Sequence, residues 1–190
     1  MRKGLILFLF FLLAFNIFSQ TKSVVMIIAP SNFRDEELLV TRKVLEDKGV
    51  EVKVASVDIS SIQGMLGARV IPDLRIEDIN LDNFDGVVFV GGVGAQFYWN
   101  YQPALRIAQK VFKKGKIVAA ICIAPVILAN AGILEDKKAT VWSSEAERIE
   151  EKGAIYVKDL VVKDGNIITA SGPQAAEKFG ETIAQALFEK

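Results

Sequence analysis

From Ser23 onward, short unbroken apolar runs alternate with amphipathic stretches: SVVMIIA, DEELLVTRKVLEDKG, VEVKVAS, GVVFVGG, ALRIAQKVFKKG, KIVAAIC and APVILANAG follow one another. Apolar runs without alternation suit strands covered on both faces, and the stretches between them carry helical spacing. The pattern therefore predicts βαβ units, an α/β fold with a mostly parallel central sheet and helices on both of its faces. The run IVAAI at 117–121 has the look of a central strand, and Gly115 and Gly132 mark helix ends. Between Ser56 and Asp82 the pattern is irregular, which predicts excursions or a small hairpin rather than another full βα unit. Near the C-terminus, Asp164-Gly165 inside LVVKDGNIIT predicts a hairpin, and Pro173 opens a helix that runs to the end. No internal repeat or linker interrupts the series, so one domain is expected over residues 21–190.

Residues 1–20 read differently. Arg2 and Lys3 precede an uncharged apolar run from Leu5 to Phe18, the layout of a secretory signal peptide and short for a spanning helix. Ile17 departs from the small-x-small cleavage rule, so an uncleaved N-terminal membrane anchor is the alternative. Either way the expectation is export, periplasmic or extracellular, with membrane contact only through the leader if it stays. Beyond residue 20 the chain holds 21 basic and 23 acidic residues, a formal charge of −2. Neither sign gathers into a block, and nucleic acid is not an expected partner.

Composition then narrows the chemistry. The 190 residues include one cysteine and no histidine, which excludes an intramolecular disulfide, a Cys/His zinc site, a Ser-His-Asp triad and a Cys-His dyad. No phosphate-binding GxxxxGK[ST] loop occurs, and GGVGAQ lacks the third glycine of a dinucleotide fingerprint. No cofactor and no metal are expected.

Cys122 stands where IVAAI ends and APVILANAG begins, and Pro125 is tolerated only in the first turn of a helix starting there. A strand-to-helix turn of this kind resembles a nucleophile elbow and sets the sulfur at a helix N-terminus, which favours thiolate over thiol. A lone cysteine in an apolar run is also a common packing residue, and these residues alone leave both readings open. In the helix opening near Asp35, about 100° per residue places Leu38, Val40, Val44 and Leu45 around Glu37 and leaves Glu36 outside the arc. Glu37 is thus expected to point inward, with a raised pKa and a proton to donate to an anion such as a thiolate. The plainer alternative is that both glutamates complement the helix dipole. Gly91-Gly92 follows VVFV at the carboxyl edge of the sheet, where α/β proteins place ligands, and its N–H groups suit an oxyanion. Phe97 and Tyr98, in the aromatic cluster with Trp99 and Tyr101, are expected to rim a pocket or a subunit contact, with ordinary loop packing the alternative.

Together, VAAICIAPVILANAGIL, FRDEELL, FDGVVFVGG and DGNIITASGP closely resemble the DJ-1/ThiJ/PfpI superfamily over residues 22–190. The resemblance implies a flavodoxin-like three-layer sandwich, a homodimer, and a cysteine whose thiolate is hydrogen-bonded by a protonated glutamate. Position by position it puts the cysteine on Cys122, the glutamate on Glu37, and the oxyanion amides on Gly92 and Ile123, with Gly91 beside them. Protease-like members carry histidine directly after the cysteine, where this chain has Ile123. Other members supply a histidine from the segment that here reads ATVWSSE, with Trp142 at or near the place and in the expected pocket. A protease mechanism is therefore not expected. The resemblance leaves two expectations: a Cys-dependent glyoxalase- or deglycase-like enzyme acting on small carbonyl compounds, and a stress-protection protein, sensor or holdase, whose cysteine meets oxidants without turnover.

Overall fold

The computed structural model describes residues 21–189. The leader expected at residues 1–20 lies outside the described residues. The strands, in chain order, are β1 (Ser23–Ile27), β2 (Glu51–Ser56), β3 (Ile62–Gln63), β4 (Arg69–Val70), β5 (Leu74–Arg75), β6 (Gly86–Phe89), β7 (Ile117–Ile121), β8 (Lys138–Ala139), β9 (Ile155–Tyr156), β10 (Val161–Asp164) and β11 (Ile167–Ala170). The α-helices are α1 (Asp35–Asp47), α2 (Gln102–Lys113), α3 (Pro125–Asn130), α4 (Ala146–Glu150) and α5 (Ala176–Phe188). None of them is long and apolar enough to cross a membrane.

Seven strands form one sheet in the order β10-β11-β7-β6-β1-β2-β5, parallel throughout except for the antiparallel edge pair β10–β11. The two-residue period of a strand sorts its side chains onto two helical layers. Val24 and Met26 of β1 face α1 and α5, whose Leu38, Leu45, Phe179 and Ile183 are fully buried there. Val25 and Ile27 face α2 and α3, with Ala104, Ala108, Val126 and Ile127. The result is the flavodoxin-like sandwich, and Cys122 packs against both layers at their seam.

Two local expectations resolve in detail. The irregular stretch after Ser56 holds a short antiparallel pair, β3 with β4, followed by the edge strand β5. The C-terminal hairpin pairs Asp164 with Ile167 across Gly165 and Asn166, and Gly165 takes the φ of +61° that the turn requires. Pro173 opens a 3₁₀ turn, Pro173–Ala175, that leads directly into α5.

This order places the site. The chain leaves β1 toward β2 on one side and returns to β6 on the other, so the connections after β1 and β6 diverge and open a crevice at their carboxyl ends. Three connections meet there: β1 into α1, β6 into the 3₁₀ segment Val93–Tyr98, and β7 into α3. The Arg34 N–H donates to the Gly91 carbonyl at 3.0 Å, and the Gly94 N–H to the Asn32 carbonyl at 3.1 Å, which lock the first two together.

Candidate functional site

Cys122 is held in a conformation that side-chain-bearing residues avoid, with φ +62°. Its N–H donates to the Ala170 carbonyl of β11 at 2.9 Å, and its own carbonyl accepts the Trp142 N–H at 2.8 Å. Such a left-handed residue costs roughly 1–2 kcal/mol, and the surrounding sheet and loop supply the constraint. The sharp turn expected between strand and helix is thus present, and the thiol is partly exposed at its tip.

Glu37 rises from the first turn of α1 and is completely buried. Its Oε2 accepts the Gly91 N–H at 2.9 Å, and its Oε1 has no hydrogen-bond partner among the described residues. Burial lifts the carboxyl from its ordinary 4.5 to about 7, against the lowering pull of the Cys122 thiol, the Gly91 amide and the Arg34 charge. The inward direction expected for Glu37 holds, but the arc around it is rotated. Val40 is exposed, and Thr41 is buried in its place with its hydroxyl donating to the Ala176 carbonyl at 3.1 Å. A polar side chain with its own acceptor can occupy the inner face, which hydrophobic spacing alone does not reveal.

The glycines are required by close approach. A Cβ at Gly91 would stand 2.5 Å from Glu37 Oε2 and 2.6 Å from the Cys122 Cβ, so carboxyl and thiol close on one point that only glycine leaves free. Gly92, at φ +89°, would meet the Arg34 backbone nitrogen at 2.4 Å. The backbone N–H groups of Gly92 and Ile123 act on the sulfur to favour its charged form.

The expectation that the turn by itself favours thiolate needs correction. The helix after it is only the six-residue α3, and burial pushes the Cys122 thiol up, with a Glu37 carboxylate adding to the rise while the Gly92 and Ile123 amides oppose it. Thiol and carboxyl titrate as a pair, and a charge on one raises the other.

A cavity of about 370 Å³ opens above the sulfur, with Glu37, Gly92, Cys122 and Ile123 in its floor. Its rim brings in Trp142, as expected, and residues that the sequence did not single out: Arg34, Met65, Val93, Gln96, Ser144, Glu145 and Pro173. Arg34 forms two hydrogen bonds to Glu36, at 2.8 and 3.1 Å, and Arg148 pairs with Glu145 at 2.7 Å. Gly91 does not face the cavity but supports Glu37 from behind. Phe97 and Tyr98 do not line the cavity, contrary to expectation. Tyr98 is buried and donates its hydroxyl to the Ile28 carbonyl at 2.9 Å, while Phe97 packs on Tyr98 and Tyr101. A phenol that finds an acceptor inside the protein serves as a core residue, and this anchor holds the loop that carries Gly92.

The family model for DJ-1/PfpI matches residues 22–186. The chain belongs to the DJ-1/PfpI family. An uncharacterised protein of Methanocaldococcus jannaschii is 43% identical over 86% of this chain and 82% of its own. A protein of Pyrococcus abyssi named as a deglycase is 36% identical over 78% of this chain and 90% of its own. Among solved structures, a ThiJ/PfpI domain protein from Brachyspira murdochii superposes with a TM-score of 0.86 at 34% identity, covering 88% of this chain and 96% of that one. Within this DJ-1/PfpI domain, the elbow, the buried glutamate and the Gly-Gly turn meet at one point despite being far apart in sequence.

Proposed function

We propose that this DJ-1/PfpI protein is exported and acts on small reactive carbonyl compounds through Cys122, with Glu37 as proton carrier. The convergence of the Cys122 thiol and the buried Glu37 carboxyl behind Gly91 carries the reading. The family and the deglycase name of a relative support a role in carbonyl stress. Together the pair has one proton to give and one charge to hold at neutral pH. The sulfur adds to the aldehyde carbon of methylglyoxal, the C–S bond forms, and the pair's proton passes to the carbonyl oxygen held by the Gly92 and Ile123 amides. Glu37, now a carboxylate, takes the hydrogen of that carbon as a proton and returns it to the neighbouring carbon, while the hydroxyl proton on the first carbon passes to the oxygen of the second. The product is a thioester, which water cleaves to lactate and the free thiol. No step needs histidine, so the absence of that residue leaves a slower route rather than none.

The test measures methylglyoxal loss and the pH dependence of Cys122 alkylation together. Cys122→Ser is expected to abolish turnover, and Glu37→Gln to lower the alkylation midpoint, because the carboxylate that holds the thiol up is removed. An unchanged midpoint in Glu37→Gln would mean that carboxyl and thiol do not titrate as a pair, and equal loss with wild type and Cys122→Ser would sink the enzyme reading. The sensor reading rests on Glu37 Oε1, which is free to bond an oxygen added to sulfur. It stands instead if turnover is absent while two equivalents of peroxide convert Cys122 to a sulfinate, releasing two waters, without unfolding the protein.

A further inference from the structure

The rim of the Cys122 cavity contains a large aromatic surface that the proton chemistry leaves unused. Trp142 is 41% exposed beside the sulfur, although burying an indole is ordinarily favourable. It is also firmly seated. Its backbone N–H donates to the Cys122 carbonyl at 2.8 Å, which anchors the main chain beside the nucleophile, and its ring lies so close to Gly172 that a Cβ there would stand 2.7 Å from Cε3 and 2.9 Å from Cζ3. The ring is thus fixed relative to the nucleophile, with glycine as the only residue that fits behind it.

Met65, Val93, Ile123 and Pro173 give the cavity an apolar part of its lining, with Arg34, Gln96, Ser144 and Glu145 making up the polar part. The cavity, about 370 Å³, is in the range that accommodates ligands much larger than a three-carbon aldehyde. A methyl substituent would leave most of that apolar surface facing water. A flat substituent would cover the indole and replace water along the wall.

We propose that Trp142 is the platform for the substrate's substituent, and that the preferred substrate is an α-oxoaldehyde with a flat apolar group, an aryl glyoxal such as phenylglyoxal, in place of methylglyoxal. The inference rests on the reading of Cys122 as a carbonyl nucleophile and adds to it the class of substrate. The bonds made and broken are the same, and water added to phenylglyoxal gives mandelate.

The full chain is assayed with phenylglyoxal and methylglyoxal as wild type, Trp142→Ala and Trp142→Phe. Stacking plus area burial predicts a kcat/KM ratio of about 10-fold in favour of phenylglyoxal. That ratio is expected to collapse in Trp142→Ala, mainly through KM for the aryl substrate, and to survive in part in Trp142→Phe. A wild-type preference for methylglyoxal, or a ratio unchanged in Trp142→Ala, would overturn the proposal. A binding measurement separates its failure from that of the carbonyl reading. Acetophenone, neutral and inert, is titrated into Cys122→Ser, with a saturable quench of tryptophan fluorescence expected and its loss expected once Trp142→Phe leaves only Trp99. Without a Trp142-dependent quench the platform fails whatever the turnover. A quench without turnover in the wild type faults the chemistry assigned to Cys122 and upholds the platform.

Discussion

The floor and the rim of the Cys122 cavity are built by different means. The floor comes from the ends of β1, β6 and β7, where Glu37 is fully buried, Gly91 has no room for a Cβ, and Cys122 is fixed at φ +62° by bonds to β11 and to Trp142. The rim comes from longer connections: the β3–β4 turn with Met65, and the segment after β8 with Trp142, Ser144 and Glu145. The difference suggests a division of labour, in which a sheet edge sets the reacting groups and loops supply the surface around them.

If the floor is as tightly coupled as its geometry indicates, perturbing it should have the larger effects. The largest is expected from the buried carboxyl itself. The folded pKa of Glu37, about 7, lies above its ordinary 4.5, so the fold favours the protonated form. Its contribution to stability is complete below pH 4.5 and is lost as pH rises through 7, by about 3 kcal/mol at the upper limit. Denaturant titrations of Cys122→Ser, in which no thiol titrates, should show this loss between pH 4 and 8 (about 3 kcal/mol), and Glu37→Gln added to that variant should flatten it. Equal pH profiles for the two variants would show that the carboxyl is not protonated by the fold.

Next comes Gly91→Ala. Its methyl group would meet Glu37 Oε2 and the Cys122 Cβ at 2.5 and 2.6 Å, so the pair must separate. The expected cost is about 2 kcal/mol in stability, and the alkylation rate of Cys122 at neutral pH is expected to change by roughly 100-fold. An alkylation rate within a few-fold of wild type would show that the sulfur does not depend on the carboxyl's position. Changes at the rim should be smaller and selective, as for the 10-fold ratio expected to depend on Trp142.

The same contrast explains what could be read from the sequence. Cys122, Pro125 and Gly91-Gly92 announce themselves because strand ends, helix starts and tight turns each impose a local requirement on the residue. Glu37 was legible from helical spacing even though Thr41, not Val40, completes the buried face. Met65 was not, because it reaches the rim through long-range bonds: its N–H donates to the Phe33 carbonyl at 2.9 Å, and the Asp35 carboxylate accepts the N–H groups of Leu66 and Ala68 at 2.8 and 2.7 Å. Ser144 and Glu145 follow Trp142 into place through its bond to Cys122, a contact between residues far apart in sequence. Tyr98 misled for a related reason. An aromatic in a loop suggests a pocket, and only the Ile28 carbonyl beneath it shows that this one belongs to the core.

The paired ions at the cavity mouth carry a consequence for encounter. Arg34 is already engaged by Glu36, and Arg148 by Glu145, so an arriving molecule meets two closed dipoles rather than a net field. Capture should then depend on diffusion and fit, with little long-range guidance. For an anionic aldehyde such as glyoxylate, kcat/KM should change by less than about twofold between low and physiological salt, where a steered site would lose far more. A steep decline with salt would mean that one of those pairs opens to receive its ligand.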